Sequence, residues 1–257
     1  MKPYVLAFDV GTSSLKTVVY DFNGEILTSE SRSYEYHSPQ PGWAEASPRD
    51  WQQAMESCLL QLSLNSPFLP QVEVIAFTGQ MHTAVLLDEN LNPLKPTILW
   101  LDRRATLETQ ELRRAFNLPP YQLNSTYTLP KLYWMKKNLP DVVQQAKHLL
   151  WPKDYLRFLL TGEIVTDITE PGGAALLDWD SLDWARDRLS FMGINPDVLP
   201  PILQPEQEAG SLLPAVVERF HFNPHAKVIA GAGDVLALIS GAPPLKGRLN
   251  CSLGSSS

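Results

Sequence analysis

The sequence has few of the residues that support metal–thiolate sites or disulfide frameworks. It contains two cysteines, Cys58 and Cys251, and their separation matches no metal-binding spacing. So few cysteines suit a reducing compartment. No apolar run approaches the length of a membrane span, and the first residues are typical of a strand rather than a secretory signal. We therefore expect a cytoplasmic protein with no membrane partner.

Positive charge is also scarce. Lysine and arginine total 21 against 28 aspartates and glutamates, which gives a net charge of -7. No basic cluster offsets this balance, so nonspecific binding to nucleic acid is not expected. Apolar residues, in contrast, make up 44% of the 257 residues. That is enough for a sizeable core in one large α/β domain or two smaller domains.

The most informative segment is a polar turn between two apolar strands near the N-terminus. The turn and its flanks carry a carboxylate, a glycine, three hydroxyls and a lysine, which are Asp9, Gly11, Thr12, Ser13, Ser14 and Lys16. Backbone N–H groups, hydroxyls and a cation suit a phosphate, Gly11 allows close approach, and Asp9 could hold Mg²⁺. An ordinary hairpin with a polar tip has the same pattern, and the pattern alone leaves both interpretations open.

The elements that follow predict an α/β fold. Residues 25–30 continue the strand meander, and Ser47-Pro48 marks the start of a helix. Residues 72–77 are typical of a buried strand, and residues 226–230 of a late one. An antiparallel triplet followed by mixed strands and helices predicts a mixed central sheet flanked by helices.

Polar clusters follow several predicted strands, where ligands of open α/β sheets gather. Asp234 follows a Gly-Ala-Gly turn and could accept a proton from a hydroxyl that attacks a phosphoryl group, or could cap the next helix. His82 could bind a polyhydroxylated ligand or pair with a backbone group. Asp102 could contact a ligand or form an internal ion pair with a neighbouring arginine.

The order of these motifs resembles the FGGY carbohydrate kinases, and among them the xylulokinase-like branch. The resemblance implies two ribonuclease H-like (actin-like ATPase) domains that enclose a cleft. It also implies transfer of the ATP γ-phosphate to a sugar hydroxyl, with ATP and Mg²⁺ as cofactors. A homodimer is among the expected assemblies. The matching stretches, in family order and spacing, are residues 8–16, 79–82, 98–104, 149–163, 166–167, 230–234 and 252–256.

The same resemblance implies a role for each candidate residue. It makes Asp234 the general base and Asp9 the residue that positions Mg²⁺. The implied sugar-binding residues are Gln80, Met81, His82, Asp102 and Asp234. The implied contacts to the ATP phosphates are Gly11, Thr12, Ser13, Ser14 and Lys16, together with Gly254 and Ser255 from a second phosphate-binding turn.

The chain also departs from the family pattern. We expect residues 1–246 to be the N-terminal sugar-binding domain and residues 247–257 to begin a nucleotide-binding domain, so this half alone should not turn over ATP. Val235 stands where xylulokinases usually have asparagine, and residues 169–174 replace the usual Ser-Asp-Ala-Ser-Gly-Thr. D-xylulose is the first expected substrate. Another ketose, a polyol, a sugar acid or a noncatalytic sugar-sensing role remain alternatives.

Overall fold

The fold is built on one mixed sheet, seen in a computed structural model that describes residues 3–242. In chain order the strands are β1 (Tyr4–Val10), β2 (Ser14–Asp21), β3 (Ile26–Ser33), β4 (Glu45–Ala46), β5 (Val72–Gly79), β6 (Val85–Leu87), β7 (Thr97–Ile98), β8 (His148–Leu150), β9 (Thr166–Asp167), β10 (Leu177–Asp178), β11 (Asp183–Trp184), β12 (Ile202–Leu203), β13 (Glu208–Ser211), β14 (Lys227–Ile229) and β15 (Ala232–Gly233). Within this range the central sheet has seven strands, in the order β13-β14-β5-β1-β2-β3, with β15 also paired to β5.

The sheet has an antiparallel part and a parallel part, which confirms the predicted mixed sheet. β1, β2 and β3 form an antiparallel meander, while β5 runs parallel to β1, β14 and β15. Because β1, β5 and β15 are parallel, their carboxyl ends lie together at the same edge of the sheet. This edge carries the polar clusters that the sequence indicates.

Nine α-helices accompany the strands within the described residues, and α1 and α5 pack against the central sheet. In chain order they are α1 (Pro48–Asn65), α2 (Thr106–Ala115), α3 (Thr128–Asn138), α4 (Pro140–Gln145), α5 (Pro152–Thr161), α6 (Thr169–Ala174), α7 (Arg186–Phe191), α8 (Pro214–Phe220) and α9 (Asp234–Gly241). α1 begins directly after Ser47, as its Ser-Pro pair predicts. No helix within residues 3–242 has both the length and the apolar character needed to cross a bilayer.

Two apolar cores hold the fold together. In the first, alternate residues of β1 are buried in one cluster with side chains of α1 and α5, and Phe8 stacks on Phe77 of β5 with ring centroids 4.6 Å apart. The second lies around α3, α7 and the β6–β8 pair, where Trp151 stacks on Trp184. Burial of apolar area at about 25 cal/mol per Å² is the main favourable term for both cores.

Candidate functional site

The turn between β1 and β2 is closed tightly and fixed from two sides. The Gly11 N–H donates to the Ser14 carbonyl at 2.9 Å, and a Cβ on Gly11 would lie 3.0 Å from the same oxygen. The Gly11 carbonyl accepts the Tyr34 hydroxyl at 2.6 Å and the Gln80 side-chain amide at 3.1 Å. The predicted phosphate turn is thus a preorganised loop whose conformation suits glycine at position 11.

Two carboxylates from opposite ends of the described chain meet beside this turn. Asp9 lies directly across from Lys16 in the β1–β2 register, and both side chains are exposed. Partial burial raises the pKa of Asp9, the negative charge of Asp234 raises it further, and Lys16 lowers it. Asp9 and Asp234 are therefore close enough to interact electrostatically, so the fold brings the turn and the candidate base together.

Asp234 is the first residue of α9, and its carboxylate reaches solvent. Gly233 occupies the N-cap position, so the capping role is not the one observed for Asp234. Partial burial raises the pKa of Asp234 above its usual range. The preceding Gly231 has a φ of +78°, and a Cβ there would lie 1.9 Å from the Phe77 carbonyl oxygen. The turn that presents Asp234 therefore requires glycine at 231.

Met81 packs between two glycine backbones at the same edge. A Cβ on Gly233 would lie 2.5 Å from the Met81 sulfur, and one on Gly173 would lie 2.4 Å from its terminal methyl. Both positions must stay small for Met81 to occupy this place. His82 follows with a φ of +63°, and its ring stacks on Tyr127 at a centroid distance of 4.7 Å. Met81 and His82 are thus fixed next to β15, the strand that immediately precedes Asp234.

A buried lysine holds the backbone of His82. Lys131 is 1% exposed, and its ammonium donates to the carbonyls of His82 at 3.2 Å and Thr126 at 2.6 Å. Burial lowers the pKa of Lys131 well below its usual value. Burial first, and the Lys131 charge second, lower the pKa of His82 to about 4. The imidazole is therefore neutral at pH 7, with one hydrogen-bond donor and one acceptor.

Hydrogen bonds join Gln80 and Trp100 to the turn between β1 and β2. Gln80 is 2% exposed, and its side chain reaches across to Gly11. The Trp100 indole N–H donates to the Thr12 hydroxyl at 2.9 Å, while its backbone N–H donates to the Thr83 hydroxyl at 3.1 Å. Gln80 therefore connects two parts of the site, and Trp100, which lies in the matching stretch 98–104, contacts the turn through a bond that was not predicted.

Known proteins are similar to this chain in sequence and in fold. The sequence matches the FGGY family of carbohydrate kinases, N-terminal domain, over residues 4–241. The chain belongs to the FGGY family of carbohydrate kinases. A xylulose kinase of Lactococcus lactis subsp. lactis (strain IL1403) is 35% identical over 244 residues, which cover 93% of this chain and 49% of that protein.

Solved structures of FGGY kinases superpose closely on this chain. A kinase from Brucella ovis, described as a xyloylose kinase, is 30% identical with a TM-score of 0.87, and the match covers 93% of this chain and 50% of that one. A gluconate kinase from Lactobacillus acidophilus is 27% identical with a TM-score of 0.85, at the same two coverages. The fold is thus that of the actin-like ATPases. The chain spans about half the length of the relatives that it matches.

Asp102 is placed differently from the other predicted sugar-binding residues of this FGGY chain. It is fully buried, and its oxygens accept the Ala44 N–H at 2.6 Å and the Arg104 N–H at 2.8 Å. Its carboxylate also pairs with the Arg104 guanidinium at 2.7 Å. Protein donors approach both oxygens, and a contact between Asp102 and a sugar stays a prediction. The internal Asp–Arg pair is the interpretation that the geometry favours, although the pair is buried rather than solvated.

Several supporting residues of this FGGY chain escaped sequence reasoning. One sequence feature could have indicated a buried Lys131: it is the single lysine in the otherwise apolar run of residues 129–132. Thr169 and Arg157 lie in stretches already compared with the family pattern, but their contacts to the backbone before Asp234 were not predicted. Two further predicted phosphate contacts, Gly254 and Ser255, lie outside the described residues.

Proposed function

We propose that this chain is the sugar-binding half of an ATP-dependent kinase that phosphorylates a hydroxyl of a ketose, with D-xylulose as the first candidate. The observation that carries the proposal is the convergence of three segments at one sheet edge. These are the turn after Asp9, the Met81–His82 segment and Asp234. The identity to a xylulose kinase supports the choice of sugar.

The geometry suits phosphoryl transfer, which depends on positioning, charge stabilisation and a base. In this proposal Asp234 accepts the proton of the attacking hydroxyl, and its raised pKa makes it a stronger base. The Nδ1 atom of neutral His82 is buried, so the other ring nitrogen is the one that can bind a sugar hydroxyl. Lys16 and the turn amides stabilise negative charge on the phosphate.

The residues present fit a magnesium ion. Mg²⁺ prefers oxygen ligands and is commonly held by one or two carboxylates together with substrate phosphates. Asp9 is exposed, and the charge of Asp234 raises its pKa, so a nearby divalent cation would favour its ionised form. Asp9 would hold the ion, and the bound ion would neutralise charge on the phosphates.

The test is a sugar panel on the complete protein, that is, this chain extended through its second domain, with ADP release as the readout. We expect Asp234→Asn to lower kcat by about 10²–10⁴-fold, because general-base catalysis contributes that much. Asp141→Asn is the matched control, since Asp141 is exposed at the start of α4. Full turnover by Asp234→Asn, or by the 257-residue chain alone, would contradict the proposal.

A sugar acid is the second candidate substrate. Val235 is 56% exposed directly beside Asp234, where it offers no amide to a sugar hydroxyl. A gluconate kinase is also among the similar structures. The kcat/KM ratio of D-xylulose to D-gluconate decides between the two substrates. Sugar binding without any ADP release would instead favour a noncatalytic sugar-sensing role.

A further inference from the structure

A group of charged side chains lies completely buried next to the strand that leads to Asp234. Its members are Lys153, Asp154, Arg157, Asp167 and Glu170, each fully inaccessible to solvent. The Lys153 ammonium lies 2.7 Å from Asp154 and 3.8 Å from Glu170, and it also pairs with Asp167. Arg157 lies 2.8 Å from Asp154. Transferring ions from water to such a place is costly, so stability alone is a weak reason for this cluster.

The cluster can carry balanced charge. Two cations face three carboxylates, but burial raises the pKa of Glu170 well above its usual range, and neighbouring carboxylates raise it further. Lys153 and Arg157 hold the pKa of Asp154 low. The raised pKa of Glu170 favours its neutral form, which brings the cluster closer to charge balance. Such a buried cluster with short internal contacts suits an anchor for neighbouring backbone.

Two members of this region hold the backbone that precedes Asp234. The Arg157 guanidinium donates to the Ala230 carbonyl at 2.5 Å. The Thr169 hydroxyl accepts the Gly233 N–H at 2.9 Å and donates in turn to Asp167. Because the Thr169 hydroxyl donates its proton to Asp167, a lone pair of its oxygen faces the Gly233 N–H. The segment 230–233 is therefore held at both ends by groups that the buried charges orient.

We propose that Thr169 is a positioning residue for Asp234, acting through its hydrogen bond to the Gly233 amide. The inference rests on the proposed function, in which Asp234 is the base. The path runs from Lys153 through Asp167 and Thr169 to the residue that immediately precedes the base. A displacement of about 1 Å in a reacting group can cost about 10²-fold in rate, so one hydrogen bond at this place has a large effect.

The test compares three variants of the complete protein. Thr169→Val keeps the shape but loses the hydroxyl, and it should lower kcat about 10–100-fold while the sugar KM changes by less than about threefold. Thr169→Ser restores the hydroxyl and should return kcat to within about threefold of the wild type. Thr166→Val is the matched control, because the Thr166 hydroxyl also donates to a carboxylate of the cluster, that of Asp154 at 2.7 Å, but makes no bond to Gly233. It should lower the Tm yet keep kcat. Equal kcat losses in the two valine variants would overturn the proposal.

Hydrogen exchange of the Gly233 amide gives a readout that does not need turnover. Thr169→Val should exchange this amide at least about tenfold faster, whereas Thr166→Val should leave it unchanged. If the wild-type protein phosphorylates no sugar, the proposed function fails, and the exchange rates alone decide whether Thr169 anchors the segment. Unchanged exchange in Thr169→Val overturns the anchoring whatever the activity.

Discussion

The antiparallel and parallel halves of the central sheet are stabilised in different ways. The antiparallel half, β1–β3, consists of neighbours in sequence and packs against α1, whose buried side chains are all apolar. The parallel half, β5 with β14 and β15, joins segments from distant parts of the chain. It packs against α5, which buries Lys153, Asp154 and Arg157. Each half supplies one part of the site, Asp9 from the first and Asp234 from the second.

This difference predicts different sensitivity to substitution. Apolar cores accept swaps that conserve volume, because dispersion and burial depend little on the exact side chain. A buried ionic cluster does not, because removing one member leaves another charge without compensation. The half that carries the candidate base should therefore be the less tolerant one.

The largest difference in unfolding free energy should come from alanine substitutions at two glycines with similar φ angles. Gly24 in the β2–β3 turn has a φ of +87° with open space around its Cβ position, whereas Gly231 before β15 meets the Phe77 carbonyl. Gly24→Ala should cost about 1–2 kcal/mol from backbone strain alone. Gly231→Ala adds a direct overlap and should cost more than about 4 kcal/mol. Urea unfolding measures both, and similar costs would mean that the two turns are equally constrained.

A second pair of variants compares the two helices. Lys153→Met removes a cation from the buried cluster of α5 and should cost about 3–5 kcal/mol in unfolding free energy. Met55→Leu changes a residue of α1 that is 1% exposed and should cost less than about 1.5 kcal/mol. Thermal and urea unfolding with the same protein preparation provide the comparison. If Lys153→Met proved as mild as Met55→Leu, the ionic cluster would not constrain the parallel half.

The strands and the helix start of the antiparallel half were largely predictable from the sequence. The buried charges and the long-range hydrogen bond that stabilise the parallel half were not. The strand meander that continues over residues 25–30 and the Ser47-Pro48 helix start are local signals, and both were confirmed. The charges at 153, 154 and 157 follow a spacing that usually marks a solvated helix face, yet the structure buries all three. The Thr169–Gly233 bond joins residues 64 positions apart, so it depends on tertiary packing that no local pattern encodes.

The smallest predicted effect concerns His82, which follows β5 in the parallel half. Its pKa is about 4 in the folded chain, against a usual 6.5. Between these values the unfolded chain binds the extra proton, so the unfolding free energy falls as pH drops from 6.5 toward 4.

Raised carboxylate pKa values such as those of Asp9 and Asp234 act in the opposite sense at acid pH. The contribution of His82 must therefore be measured as a difference between proteins. His82→Asn keeps a residue that tolerates the left-handed backbone but cannot titrate. Between pH 7 and pH 5, wild type should lose about 2 kcal/mol more than this variant. Equal losses would show that His82 titrates as a solvent-exposed histidine, and the parallel half would then lack the dry environment that Lys131 and Tyr127 provide around its end.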